Sequence, residues 1–147
     1  MAKRDSTKKT FVNDRDDNVF IGIDLPFRKS NATEGWFAST TDTISAVKNN
    51  IRLLLDTEKG ERLMQPNLGM NLKKYMFEQY TDSTRMAIED DIVSTFKKLL
   101  PFVGIQDIRT RMEAGDNVTG NNTMKISIDF NIVKDPTTLE SITVTIK

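Results

Sequence analysis

The hydrophobic pattern changes period once along the chain. Apolar residues recur at Ile44, Val47, Ile51, Leu54 and Leu55, three or four apart, which is one face of an amphipathic helix. Thr41, Asp42 and Thr43 supply side-chain oxygens that can cap its start, and the helix should end near Thr57, with Gly60 a suitable stop just beyond. Leu72, Tyr75, Met76 and Phe77 suggest a short helix. A longer one follows from the caps Thr81, Asp82 and Ser83, with a stripe at Ile88, Ile92, Phe96, Leu99 and Leu100. Pro101 ends it, because proline disfavours helical geometry in the residue before it. The period then becomes two. Ile108, Thr110 and Met112 alternate with Arg109, Arg111 and Glu113. Met124, Ile126, Ile128, Phe130 and Ile132 alternate with Lys125, Ser127, Asp129 and Asn131. Ile142, Val144 and Ile146 alternate with Ser141, Thr143 and Thr145. The turns fall at GDNVTGNN (Gly115 to Asn122) and at Asp135-Pro136. The expected fold is α+β: two long helices and a short one packed on a small antiparallel sheet of about three half-wet strands.

Ahead of the first helix the pattern is irregular. Met1 to Asn18 is polar and mixed in charge, and reads as an arm. Val19 to Phe27 is apolar but broken by Gly22 and Pro26, and Ser30, Asn31 and Thr33 are turn-rich. The segment is expected to run extended, with its aromatic residues anchoring it on the domain or on a partner. The expected division is an arm over residues 1–35 and a single α+β domain over residues 36–147. Lys3, Arg4, Lys8 and Lys9 could touch a nucleic acid, but Asp5 dilutes them and a solvated tail is the simpler reading.

Composition removes several functions. The chain of 147 residues has 21 basic and 21 acidic side chains, so its formal net charge is zero, unlike a generic polyanion binder. It has no histidine and no cysteine, which excludes thiolate chemistry, disulfides, cysteine–histidine zinc sites and histidine acid–base catalysis. No metal or other cofactor is implied. GDNVTGNN offers one acid where a calcium loop alternates several. Gly60 has no phosphate-loop pattern around it. The longest apolar run, Leu99 to Val103, is too short to span a membrane, and MAKRDSTKKT is not a signal peptide, so the protein is expected to be made in the cytosol.

Between the first two helices lies DTEKGERLMQPNLGMNL, from Asp56 to Leu72. Asp56, Glu58 and Glu61 could in principle serve a muralytic glycosidase, which needs two carboxyl groups held in different environments. Against this, Lys59 and Arg62 sit beside the acids and would favour their ionised forms, and sugar-stacking aromatics are few. The residues suit shape better: Gly60 can take an unusual backbone angle, Pro66 fixes another, and Gly69 permits a close approach. Glu61 and Arg62 remain to meet each other's neighbours or a partner.

The last strand supplies the other candidate. Between Ser141 and Ile146 there is no charge, proline or bulge signal of the kind that blunts an exposed strand edge. If Ile142, Thr143, Val144, Thr145 and Ile146 form an edge, they can accept another chain's strand by β-augmentation. The other possibility is that this strand pairs on both sides within its own sheet.

Taken together, Ile44 to Leu55, Thr57, Gly60-Glu61-Arg62, Pro66, Gly69, Leu72 and Phe77-Glu78 resemble the signature of the baseplate wedge, or sheath-initiator, proteins of contractile phage tails. The T-even-like members are related to a wedge component of type VI secretion baseplates. The resemblance extends upstream to Ile23-Asp24-Leu25 and Phe27, and downstream through Ile88 to Leu100, Met124 to Lys134, Asp135-Pro136 and Leu139 to Ile146. It implies a non-catalytic structural subunit of a virion tail baseplate, assembled in the host cytoplasm. About six copies are expected around a sixfold tail. The implied partners are other wedge proteins, the tail sheath, to which C-terminal strands are offered, and the tube or hub, with no nucleic acid or membrane. The family has also been labelled lysozyme-like. It often carries Glu-Pro-Arg after the second long helix, a contact for the wedge's helical core bundle. Here Leu100-Pro101-Phe102 stands in that place and only Pro101 matches. Phe102 is therefore either an apolar contact or part of the core.

Overall fold

The computed structural model describes residues 20–30, 36–113 and 123–146, without the side chains of 135–138. The basic cluster near the N-terminus, Asn31 and Thr33, and the GDNVTGNN turn lie outside them. Two compact units divide the chain, residues 1–52 and 53–147. In the first, β1 (Gly22–Ile23) pairs antiparallel with β2 (Ser39–Thr40), and an isolated bridge joins Lys29 to Phe37. Helix α1 (Thr43–Asp56) begins where the capping residues predict. Its side chains hold the extended segment by its carbonyls: Asn49 Nδ2 donates to Ile23 O at 3.2 Å, and Arg52 Nη1 to Leu25 O at 3.2 Å. Val47, Ile51, Leu54 and Leu55 are buried, the stripe expected from their spacing.

In the second unit a 3-10 helix (Leu72–Phe77) precedes α2 (Asp82–Leu99). The Thr81 hydroxyl caps α2 by accepting from Thr84 N–H at 3.3 Å. Leu72, Tyr75 and Met76 are buried, but Phe77 is 91% exposed, so it does not complete the apolar face that its sequence position suggests. Three strands follow in the order β3-β4-β5: β3 (Val103–Glu113), β4 (Thr123–Ile132) and β5 (Asp135–Ile146), all antiparallel. Alternate β4 residues Met124, Ile126, Ile128, Phe130 and Ile132 are buried, with Ile88, Ile92 and Phe96 of α2 also in the core. The wet face is stitched by side chains. Arg109 bridges Asp107 and Asp129, Lys125 meets Glu113 at 2.8 Å, and the hydroxyls of Ser127 and Thr143 lie 3.0 Å apart.

Two boundaries differ from expectation. The β4–β5 turn is Val133-Lys134, not Asp135-Pro136, because Ile132 already pairs with Asp135 and leaves a two-residue loop. Pro136 lies within β5, where an edge strand tolerates a residue with no N–H. Strand β3 also starts at Val103, earlier than its alternation suggests. A register shift between Ile105 and Asp107 breaks the period there.

The 3-10 helix is tied to α2 by one polar cluster. The Tyr75 hydroxyl donates to Asp91 Oδ2 at 2.6 Å, and Lys74 Nζ lies 3.5 Å from the same oxygen and 4.4 Å from the Tyr75 ring centroid. That hydroxyl bond, more than the lysine's charge, holds the Asp91 carboxyl below its ordinary value. A depressed carboxylate stabilises the fold above its unfolded pKa and loses that effect as pH falls. The advantage of the native chain over Tyr75→Phe should therefore be about 1 kcal/mol or less near neutral pH, given the cluster's exposure. It should decline as pH falls through the carboxylate range, where the unfolded chain takes up the proton before the depressed native Asp91 does. Urea denaturation of both proteins across pH checks this.

Candidate functional site

The Gly-Glu-Arg corner is a closed, hydrogen-bonded loop. Gly60 has φ of 90° and donates its N–H to Pro66 O at 2.9 Å. The Glu61 carboxylate accepts the Glu58 N–H at 3.0 Å, while Glu61 N–H returns to Glu58 O at 3.2 Å. Glu58 pairs with Lys73 at 3.1 Å, and Asn71 Oδ1 accepts from Lys59 N–H at 3.2 Å. The far side is fixed by a close approach of two backbones. Gly69 has φ of 108°, and a Cβ there would lie 2.4 Å from Thr57 O. That carbonyl accepts from Met70 N–H at 2.8 Å, and the Thr57 hydroxyl donates to Leu53 O at 2.5 Å.

Glu58 and Glu61 are thus engaged in holding the loop. A cavity of about 190 Å³ lies beside them, lined by Leu55, Asp56, Glu58, Leu72, Lys73, Thr145 and Ile146. Ligand pockets usually exceed about 300 Å³, so it is cramped for a pair of sugar rings. Its lining brings the base of the corner next to the end of β5, a proximity that sequence order conceals.

Arg62, Pro66 and the residues between them face solvent. Leu63 and Met64 are each 95% exposed. Neither stood out in the sequence, where an apolar pair in a loop carries no periodic signal.

Among the described residues, β5 pairs only with β4, so Ile142 to Ile146 lie on a sheet edge. Ile142, Val144 and Ile146 are buried on the core face, while Ser141, Thr143 and Thr145 are exposed. An antiparallel edge strand leaves alternate backbone N–H and C=O groups pointing outward. The opposite edge, β3, differs. It carries the register shift at Gln106 and the charged side chains of Asp107, Arg109 and Arg111, all of which discourage pairing. Pro101 and Phe102 sit between α2 and β3. Phe102 is 42% exposed, so the core reading of this residue does not hold, and its carbonyl accepts from Val133 N–H at 3.0 Å. A second cavity of about 480 Å³ lies between α2 and β3, with Val93, Phe96, Val103, Ile105 and Ile108 among its lining. Among the described residues no cluster of acids could hold a metal ion, and no helix is long and apolar enough to cross a membrane.

Gly69→Ala combines a strained φ with a backbone collision. It should cost roughly 3 kcal/mol or more in stability, whereas Gly60→Ala, with open space around it, should cost about 1–2 kcal/mol. Denaturant midpoints of the two variants test the difference.

Comparison with known proteins agrees with this geometry. The sequence profile of the baseplate wedge protein gp25 family matches residues 41–137. None of the curated proteins matches. Among solved structures, a protein from Geobacter sulfurreducens, provisionally described as a tail lysozyme, is similar with a TM-score of 0.55 and 19% identity, over 68% of this chain and 86% of that one. A chain of the anti-feeding prophage baseplate is similar with a TM-score of 0.56 and 20% identity, over 84% of this chain and 81% of that one. At such identities these two likenesses speak for the fold, and the profile speaks for the family. The profile match covers the first long helix, the corner, α2, β3 and β4, and on that ground the chain belongs to the baseplate wedge protein gp25 family, whose role is structural and whose place is the tail baseplate among other baseplate components.

Proposed function

We propose that this protein is a non-catalytic wedge subunit that initiates sheath assembly by offering β5 to a strand of the sheath protein. The observation that carries this is the asymmetry of the two sheet edges. The β3 edge bears a register shift and charges along its middle, whereas β5 confines its own register shift and Pro136 to the stretch before Glu140 and leaves Ile142 to Ile146 with neither shift nor charge. The wet side of β5 is a row of hydroxyls, Ser141, Thr143 and Thr145, so an added strand would strip little charge of water.

The same reading assigns Gly60, Glu61, Arg62 and Pro66, with Pro101 and Phe102, to contacts with wedge neighbours and with the tube or hub, while Gly69, buried against the Thr57 carbonyl, shapes the corner instead of touching a partner. It takes residues 1–35 as an arm to the domain of residues 36–147. It sets about six copies per baseplate, in line with the six-fold symmetrised baseplate of the similar prophage chain, and places assembly in the host cytoplasm. No role for nucleic acid, membrane or cofactor is included. The glycosidase alternative is set aside because Glu61 and Glu58 already hold the loop together. Cell-wall clearing by the purified chain that vanished in Glu61→Gln would restore it.

Thr143→Lys with Thr145→Lys tests the strand exchange. Thr143 shares a hydroxyl contact with Ser127 and Thr145 lies opposite Lys125, so the free protein should lose about 1–2 kcal/mol yet stay folded, as denaturant unfolding of the variant checks. Baseplates carrying the variant should form but fail to nucleate sheath, as counted by electron microscopy. Normal sheath on these baseplates would contradict the proposal.

A further inference from the structure

We infer that Leu63 and Met64 form an anchor that enters an apolar pocket on a neighbouring protein chain of the baseplate, with a carboxylate at the pocket rim facing Arg62. The inference rests on the wedge reading and adds to it the chemistry of one contact. Three observations carry it. First, adjacent Leu63 and Met64 are each 95% exposed, although single exposed apolar residues are ordinary and need no account. Second, the loop presenting them is ordered by its own backbone. Gln65 N–H donates to Arg62 O at 3.1 Å, Leu68 N–H to Gln65 O at 3.0 Å, and Gly60 N–H to Pro66 O at 2.9 Å. These bonds fix the backbone that carries the two side chains, so binding need order only their rotamers and not the loop. Third, Arg62 has no ion pair among the described residues, and the carboxylate of its neighbour Glu61 turns back to accept the Glu58 N–H.

Methionine and arginine are enriched where protein interfaces are fully buried, and a preformed apolar knob beside an unpaired guanidinium suits such a site. Anionic lipid is the less suitable occupant. Two apolar side chains and one arginine are a small insertion, and a chain of zero formal net charge gains no general attraction to an anionic surface.

The test uses purified tails assembled with the full-length chain carrying a benzoyl-phenylalanine photo-crosslinker at Met64. A parallel set carries Leu63→Ser with Met64→Ser, and another carries Arg62→Glu or Arg62→Gln. The crosslinker should mark one identified baseplate protein at a site lined by apolar residues and at least one acid. The double serine variant should melt with the native chain yet enter tails at least tenfold less, and Arg62→Glu should be worse than Arg62→Gln. Equal incorporation of native and double serine chains, or a crosslink confined to solvent products, overturns the anchor while leaving the wedge role standing. Absence of the native chain from tails overturns the wedge reading and the anchor with it. Cosedimentation with vesicles of equal parts phosphatidylcholine and phosphatidylglycerol that depends on Leu63 and Met64 overturns the protein pocket in favour of lipid.

Discussion

The second unit hangs on the two pairings of β4. One face of that strand is filled by Met124, Ile126, Ile128, Phe130 and Ile132, all buried, so a slip of one residue would turn every one of them to water. That penalty fixes the register with β3 on one side and β5 on the other. With β4 central, both neighbours become edges. The functional question is then physical: how each edge deals with backbone groups that face outward. β3 answers with Gln106's register shift and the ion pairs of Arg109. β5 has no comparable device from Ser141 to Ile146, and the proposed sheath contact follows from that difference.

The corner between α1 and the 3-10 helix is governed by a different constraint, the approach of Gly69 to the Thr57 carbonyl. Only a residue without Cβ fits there, and the hydrogen bond from Met70 to the same carbonyl locks the crossing. Once the crossing is set, Gly60 and Pro66 close the tip, and the Glu61 carboxylate caps a backbone N–H instead of standing ready for chemistry. Charge and glycine concentrated in a loop can mark a reaction centre. Here they build a rigid projection, with its base beside Thr145 and Ile146 of the open edge.

Much of this was legible in the sequence because it follows from periodicity. The stripe at Val47, Ile51, Leu54 and Leu55, the α2 stripe through Phe96 and the alternation along β4 all read directly onto buried positions. The family signature was legible too, because its residues stand in fixed order around the corner. Legibility failed where a local device interrupts the period. The register shift hid the first residues of β3, and a tight two-residue hairpin displaced the turn from Asp135-Pro136 to Val133-Lys134. Phe77 and Phe102 show the remaining limit: an aromatic residue flanking an apolar stripe can lie on either side of the surface, and backbone path decides which. The edge position of β5 could not be read from the strand's own residues, since the same alternation suits a central or an edge place.

The central claim, that β5 is an acceptor for another chain's strand, is tested most directly by amide hydrogen exchange of residues 141–146 in the free protein and in sheathed tails. Exchange should be fast at alternate positions in the free chain, where the outward N–H groups meet water, and slowed at those same positions once sheath is present. Equal exchange at every one of these positions with and without sheath would contradict the account.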